Sequence, residues 1–277
     1  MAVTDQMVRR GQTKRLSPLA GSLSDAPVFI RLLGPFQILR LGQPISLRAG
    51  GKAEQLLSCL ALRPRGGVHR AALVEQVWPN TPLTLAGQCL NTLVYSLKAQ
   101  LADALEGQPP IVYAQSHYAL NLHGGVSVDV LEFESAVTVG GRLLSEDSTM
   151  AAIESYEHAI VLYGGDLAAG SDISDLLERE RLRATCLTTL ARLADAHFEL
   201  ANYEKALESA VRLLSLDPCR EDAHRMVMRA HVRMEARAQA MRQYSLCRSI
   251  LRREFDAVPE PATDRLFNLI RSDPSRV

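Results

Sequence analysis

The sequence predicts a mainly α chain with a small amount of β, arranged in two parts. Three observations carry this. Short apolar runs broken by Gly and Pro occupy residues 28–47. Between Lys52 and Leu105, apolar residues recur at helical spacing, and a second pair of short extended runs follows at 111–122. From about Val130 onward the pattern is helical throughout, with one internal spacing repeated.

The 277 residues suffice for two domains of ordinary size. Composition is globular, at 47% hydrophobic and 22% charged. Aromatic residues make up only 5%, so aliphatic side chains and Ala must fill the core, which suits closely packed helices. No apolar run is long enough to span a membrane. Arg9, Arg10, Lys14 and Arg15 are not followed by the apolar core of a signal peptide, and residues 1–27 read as a mobile basic tail. The five cysteines stand far apart and are odd in number, which argues for buried thiols in a reducing cytoplasm rather than a disulfide framework. Net charge is zero, but residues 28–130 carry a basic excess and residues 131–277 an acidic one. That division fits a nucleic-acid reader joined to a protein-binding unit.

The element order follows from local pattern. Val28–Leu33 and Phe36–Leu41 read as strands; Gly42-Gln43-Pro44 supplies a turn before Ile45-Ser46-Leu47. Lys52 to Leu62 places Leu56, Leu57, Leu60 and Ala61 on one stripe and stops before Pro64. His69 to Val77 is a short helix closed by Trp78-Pro79. A third helix runs from about Thr84 to Leu105, with Leu90, Leu93, Val94, Leu97 and Leu101 in one apolar stripe. Its opposite face carries Thr84, Gln88, Asn91, Thr92 and Tyr95, with Lys98 at the edge. Uncharged polar side chains there suit hydrogen bonding to base edges, and equally an ordinary solvated surface. Residues 111–122 form a hairpin whose tip is Ala114-Gln115-Ser116-His117. Sheet, three helices and terminal hairpin is the order of a winged helix-turn-helix.

Helices are expected near 129–139, 149–163, 172–200, 202–215, 219–234, 236–255 and 260–271. Ala196-His197 recurs as Ala230-His231, and Ala206 as Ala240, at the 34-residue period of tetratricopeptide (TPR) helix pairs. Asn202-Tyr203-Glu204-Lys205-Ala206-Leu207-Glu208, followed by Leu214-Ser215-Leu216-Asp217-Pro218, reads as a TPR turn.

These residues resemble the Streptomyces antibiotic regulatory protein (SARP) family over about 28–273. Tyr163-Gly164-Gly165-Asp166-Leu167, Glu178-Arg179-Glu180-Arg181-Leu182-Arg183, Asp217-Pro218-Cys219-Arg220-Glu221-Asp222-Ala223-His224-Arg225, and Leu251-Arg252-Arg253-Glu254-Phe255 with Val258-Pro259-Glu260-Pro261 are similar to its bacterial transcriptional activator domain (BTAD). Arg31-Leu32-Leu33-Gly34-Pro35-Phe36, Leu73-Val74-Glu75-Gln76-Val77-Trp78-Pro79, and Asp129 with Phe133 are similar to its OmpR/PhoB-type DNA-binding domain. The resemblance implies an OmpR/PhoB-type winged helix-turn-helix over 28–125 followed by an all-α TPR-like domain over 126–277. It implies a cytoplasmic transcriptional activator that binds promoter repeats in double-stranded DNA as a dimer or in tandem. It also implies contact with RNA polymerase through its sigma factor, at promoters such as those of secondary-metabolite clusters.

The base-reading candidates are Thr84, Gln88, Asn91, Thr92 and Tyr95; the phosphate candidates are Lys52, Arg65, Arg70, Lys98, His117 and Tyr118. Helix N-termini near Gly51 and His69 add backbone donors. One departure matters: Gly87, Ser96 and Ala99 stand where relatives often carry Arg, and only Lys98 is basic in the third helix. Since each neutralised phosphate contributes about −0.9 to the log–log salt slope, fewer contacts predict weaker binding. The alternative is a TPR-like interaction module whose winged helix has weakened or lost DNA binding. Gly50-Gly51-Lys52-Ala53 fails the phosphate-loop pattern, and His224 with His231 lacks a third metal ligand. No cofactor, metal site or catalytic set is expected.

Overall fold

The computed structural model describes residues 24–46, 51–64, 66–167 and 173–277. The expected basic tail lies outside them as far as position 23, and so does Arg65. The N-terminal sheet begins as an antiparallel meander of β1 (Val28–Arg31), β2 (Gln37–Arg40) and β3 (Gln43–Ile45), with Val28 opposite Arg40 and Ile38 opposite Ile45. The turn expected at Gly42-Gln43-Pro44 falls earlier. Leu41 and Gly42 take φ of 49° and 76°, and Gln43 and Pro44 lie in β3. That strand is an edge, where proline's missing N–H costs no ladder bond.

Helix α1 (Lys52–Ala61), strand β4 (Val68–His69), and helices α2 (Arg70–Val77) and α3 (Leu83–Leu101) follow. Helix α3 stops short of the expected Leu105. The chain instead turns through Glu106 and Gly107, both at positive φ, and still buries Ala104 and Leu105. Strands β5 (Ile111–Ala114) and β6 (His117–Leu120) make the wing; β6 also pairs with β4, giving the order β4-β6-β5. The wing turn is Gln115-Ser116, with both residues left-handed as a two-residue hairpin of this twist requires. Strand β7 (Val126–Val128) then returns to the first sheet parallel to β1, completing the order β3-β2-β1-β7.

The remainder is helical: α4 (Asp129–Ser145), α5 (Thr149–Leu162), α6 (Ile173–Glu199), α7 (Tyr203–Leu216), α8 (Glu221–Arg233), α9 (Arg237–Phe255) and α10 (Pro261–Ser272). Three antiparallel hairpins, α4–α5, α6–α7 and α8–α9, share one turn. Asp147, Ala201 and Glu235 are left-handed at φ of 57°, 57° and 60°. The next residue's N–H bonds back to Leu143, His197 or His231 respectively. The repeat seen in sequence therefore sets identical turns, and Ala206 and Ala240 are both fully buried where the paired helices meet.

The two parts are welded rather than tethered. Asp129, the first residue of α4, is fully buried; its carboxylate accepts from the backbone N–H groups of Leu32, Leu33 and Val130 at 2.8–2.9 Å. Opposite it, Gly34 N–H donates to the Asp166 carbonyl at 3.2 Å, and Leu33 bridges to Leu167. A Cβ on Gly164 would lie 2.9 Å from the Leu33 carbonyl oxygen, which explains the Gly pair in Tyr163-Gly164-Gly165-Asp166-Leu167. One apolar cluster runs from Val28 through this seam to Ala223.

Buried histidines give the helical part an acid limit. In His224, 1% exposed, Nε2 lies 2.9 Å from the Pro218 carbonyl and Nδ1 lies 2.7 Å from the Gln243 amide nitrogen. A carbonyl only accepts, so Nε2 carries the hydrogen and Nδ1 accepts from Gln243. Burial pushes the His224 pKa down, and likewise those of His197 and His231. A depressed folded-state pKa gives stability that is present above the ordinary value near 6.5 and lost as pH falls. Thermal scans should therefore show the unfolding midpoint dropping from pH 7 to pH 5. His224→Gln should flatten that slope; an unaltered slope would remove His224 from the account.

Candidate nucleic-acid interface

The surface that reads as a DNA interface is built on α3. Its core stripe, Ala86, Leu90, Leu97 and Leu101, is at most 1% exposed and fixes the helix's rotation. The opposite side then faces solvent: Thr84, Gln88, Asn91, Thr92 and Tyr95 are all exposed, and Lys98 continues the face. Tyr95 stands 74% exposed. The Thr92 hydroxyl donates to the Gln88 carbonyl at 3.0 Å, which leaves its oxygen able to accept. The five base-reading candidates thus share one face of one helix.

The phosphate candidates divide. Lys98 is exposed on the α3 surface. Lys52 is exposed, but its ammonium donates to the Val77 carbonyl at 2.6 Å and to Gln55 at 3.1 Å, capping the C-terminus of α2. His117 is exposed on the wing; its Nδ1 lies 2.8 Å from the Gln115 carbonyl, and its ring meets the His69 ring edge-on at 5.3 Å. Tyr118 does not reach the surface: it is 6% exposed and packs on Tyr113 with centroids 4.5 Å apart. Tyr113, on the neighbouring strand, is the exposed tyrosine of the wing, at 54%. Arg63, just past the end of α1, donates through Nη1 to the Cys59 carbonyl at 3.3 Å and to its sulfur at 3.2 Å.

Arg70 is the informative one. Its guanidinium crosses from α2 to α3 and donates to the Gly87 carbonyl at 3.3 Å. A Cβ on Gly87 would come within 2.8 Å of that guanidinium. Gly87 therefore leaves room that the guanidinium of the neighbouring helix occupies. Arg70 remains half-buried with further N–H donors unspent. Beside it, the His69 side chain accepts from Ala71 N–H at 3.3 Å and so caps the start of α2.

Sequence reasoning did not single out Leu83, Leu85 or Tyr113, all exposed around this face. Alternation along β6 was the available signal on the wing. Tyr118 and Leu120 share the buried side of the strand, so His117 is turned outward and Tyr118 inward. Among the described residues, no group of three or more His, Cys, Asp or Glu could hold a metal ion, and no helix is long and apolar enough to cross a membrane. All five cysteines are free; Cys59, Cys186 and Cys247 are buried, whereas Cys89 and Cys219 are half-buried.

Comparison with known proteins agrees with this architecture. The chain is similar to the transcriptional regulatory protein MoaR1 of Mycobacterium tuberculosis, 24% identical over 247 residues that cover 88% of this chain and 79% of that protein. It is similar to the regulatory protein DnrI of Streptomyces peucetius, 25% identical over 256 residues covering 88% and 93%. Among solved structures, Mycobacterium tuberculosis EmbR in complex with a low-affinity phosphopeptide superposes with a TM-score of 0.68 at 19% identity. That match covers 89% of this chain and 65% of EmbR, so the likeness is one of fold, winged helix and TPR-like helices together. The model of the bacterial transcriptional activator domain matches residues 128–271, from β7 to the last turn of α10. With more than half its length in that match, and regulators of the SARP type among its relatives, the chain belongs to the bacterial transcriptional activator domain family.

Proposed function

We propose that this chain is a sequence-specific, DNA-binding transcriptional activator whose α3 enters the major groove while the wing lies on the flanking backbone. The observation that carries the reading is the face of α3, on which Thr84, Gln88, Asn91, Thr92 and Tyr95 are exposed together above a fully buried core stripe. Gln and Asn present paired donor and acceptor groups suited to adenine, and Thr serves as donor or acceptor. The β1–β7 unit is the reader, and the helices from α4 onward are the part that engages RNA polymerase. Likeness to regulators of this family supports repeat sites, bound in tandem or by a dimer, at promoters such as those of secondary-metabolite clusters.

A random-oligonucleotide selection with the full chain, at low and moderate salt, tests this first by yielding an enriched site. On that site, replacing Gln88 and Asn91 together by Ala should cost about 1–3 kcal/mol per bidentate contact and relax preference at particular positions. Unchanged site preference in the double variant rejects the assignment. Arg70→Ala should instead weaken all sequences alike and reduce the salt slope by about one. The second reading, a partner-binding module without DNA, is favoured by the scarcity of arginine on α3. It requires that the protein show no DNA affinity even at low salt.

A further inference from the structure

The first turn of α3 carries two leucines in the open. Leu83 is 72% exposed and Leu85 50%, on either side of Thr84. Neither joins the core below, which starts at Ala86 and Leu90. Leu85 lies three and seven positions before Gln88 and Thr92, so it continues one flank of the same face; Leu83 lies four before Gly87, where Arg70 crosses. A reading helix pushes its N-terminal residues deepest toward the bases. Leucine offers no hydrogen bond there. The floor of the major groove presents one apolar group, the C5-methyl of thymine. We propose that Leu83 and Leu85 are specificity residues that pack on thymine methyl groups, so the recognised site carries thymines opposite the first turn of α3.

This rests on the reading of α3 as the DNA-entering helix and adds what its apolar positions select. It also gives the arginine-poor helix a consequence: recognition leans on methyl contacts and neutral hydrogen bonds, and less on charge.

The test uses the full chain and the duplex enriched from a random library, compared with the same duplex in which each thymine in turn is replaced by deoxyuridine. That change deletes a methyl and leaves every hydrogen-bonding group in place. The wild type should lose about four-fold in affinity for each methyl that a leucine covers. The Leu83→Ala/Leu85→Ala variant should bind the thymine duplex more weakly and be indifferent to the same replacements. Both side chains are on the surface, so a thermal scan should find the variant as stable as the wild type. A wild type that binds both duplexes equally overturns the assignment, as does a double variant that keeps the full thymine preference. A double variant that binds the thymine duplex as tightly as the wild type yet loses transcription activation would mark the leucines as a protein-docking surface and overturn it too. A chain that binds no duplex at all sinks the DNA-reading proposal itself, and this one with it.

Discussion

Asp129→Ala is expected to lower stability by about 4 kcal/mol. The carboxylate takes the N–H of Leu32 on both oxygens, that of Leu33 on one and that of Val130 on the other, all at 2.8–2.9 Å and out of water. Alanine leaves three buried N–H groups unpaired, each costing about 1–3 kcal/mol. Asp129→Asn should cost about half as much. One oxygen still accepts, while the amide turns N–H toward N–H at the other. Urea unfolding read by far-ultraviolet circular dichroism measures both; an Asp129→Ala midpoint equal to wild type would show that the weld contributes nothing. Charge adds a second readout. Burial pushes the Asp129 carboxyl up to about 6, against the pull of the three N–H groups and Arg31. A raised folded-state pKa gives stability that is fully present below the unfolded value near 4 and lost as pH climbs through 6. The asparagine variant has no such titration. The wild type's margin over it should therefore widen between pH 7 and pH 4, even as the buried histidines weaken both proteins together.

Gly67→Ala should cost about 3 kcal/mol and detach the wing from α2. Gly67 sits at φ 67°, where a Cβ costs about 1–2 kcal/mol before any contact is counted. That Cβ would also lie 2.4 Å from the Tyr118 carbonyl oxygen and 3.0 Å from its carbon. These are backbone atoms of β6, paired with Val68 in β4, and cannot rotate away. The strands must part, taking the His69 cap and the His117 contact with them. The adjacent Gly66 is the internal control. It too is left-handed, at φ 82°, but nothing lies within 4 Å of its Cβ position, so Gly66→Ala should cost only about 1 kcal/mol. Equal losses in the two variants would show that the close approach to β6 is unimportant.

Much of this molecule is legible in its sequence, and the unread parts share a physical cause. The helical repeat is legible because a 34-residue spacing of Ala and His reproduces one turn geometry, and the turns at Ala201 and Glu235 superimpose that spacing on the backbone. The face of α3 is legible because five apolar positions fix its rotation. Strand β7 is not: Val126-Ser127-Val128 is too short for periodicity, and only a tertiary partner, β1, makes it a strand. The left-handed turn at Leu41-Gly42 was hidden by Pro44, which reads locally as a turn residue and is tolerated in an edge strand. Nor does α3 announce its neighbour. Gly87 in isolation reads as a lost arginine, whereas folding brings in Arg70 from a position 17 residues earlier. Tyr118 was within reach of strand alternation, and its hydroxyl drew it wrongly toward the surface.

The parallel pairing of β1 with β7 bears on how the chain is made. Val28 reaches its partner Val126 only after the helices and the wing have been laid down. Such a non-local pair is slow to close and pays its loop entropy before it gains its bonds. On a translating ribosome the prospective reading helix is therefore finished while the strand beside β1 is still missing, and the Asp129 clamp comes later still. A nascent chain arrested before residue 126 would expose the bare edge of β1 to other chains. The winged unit thus acquires its native shape only once the first residues of the helical part have emerged.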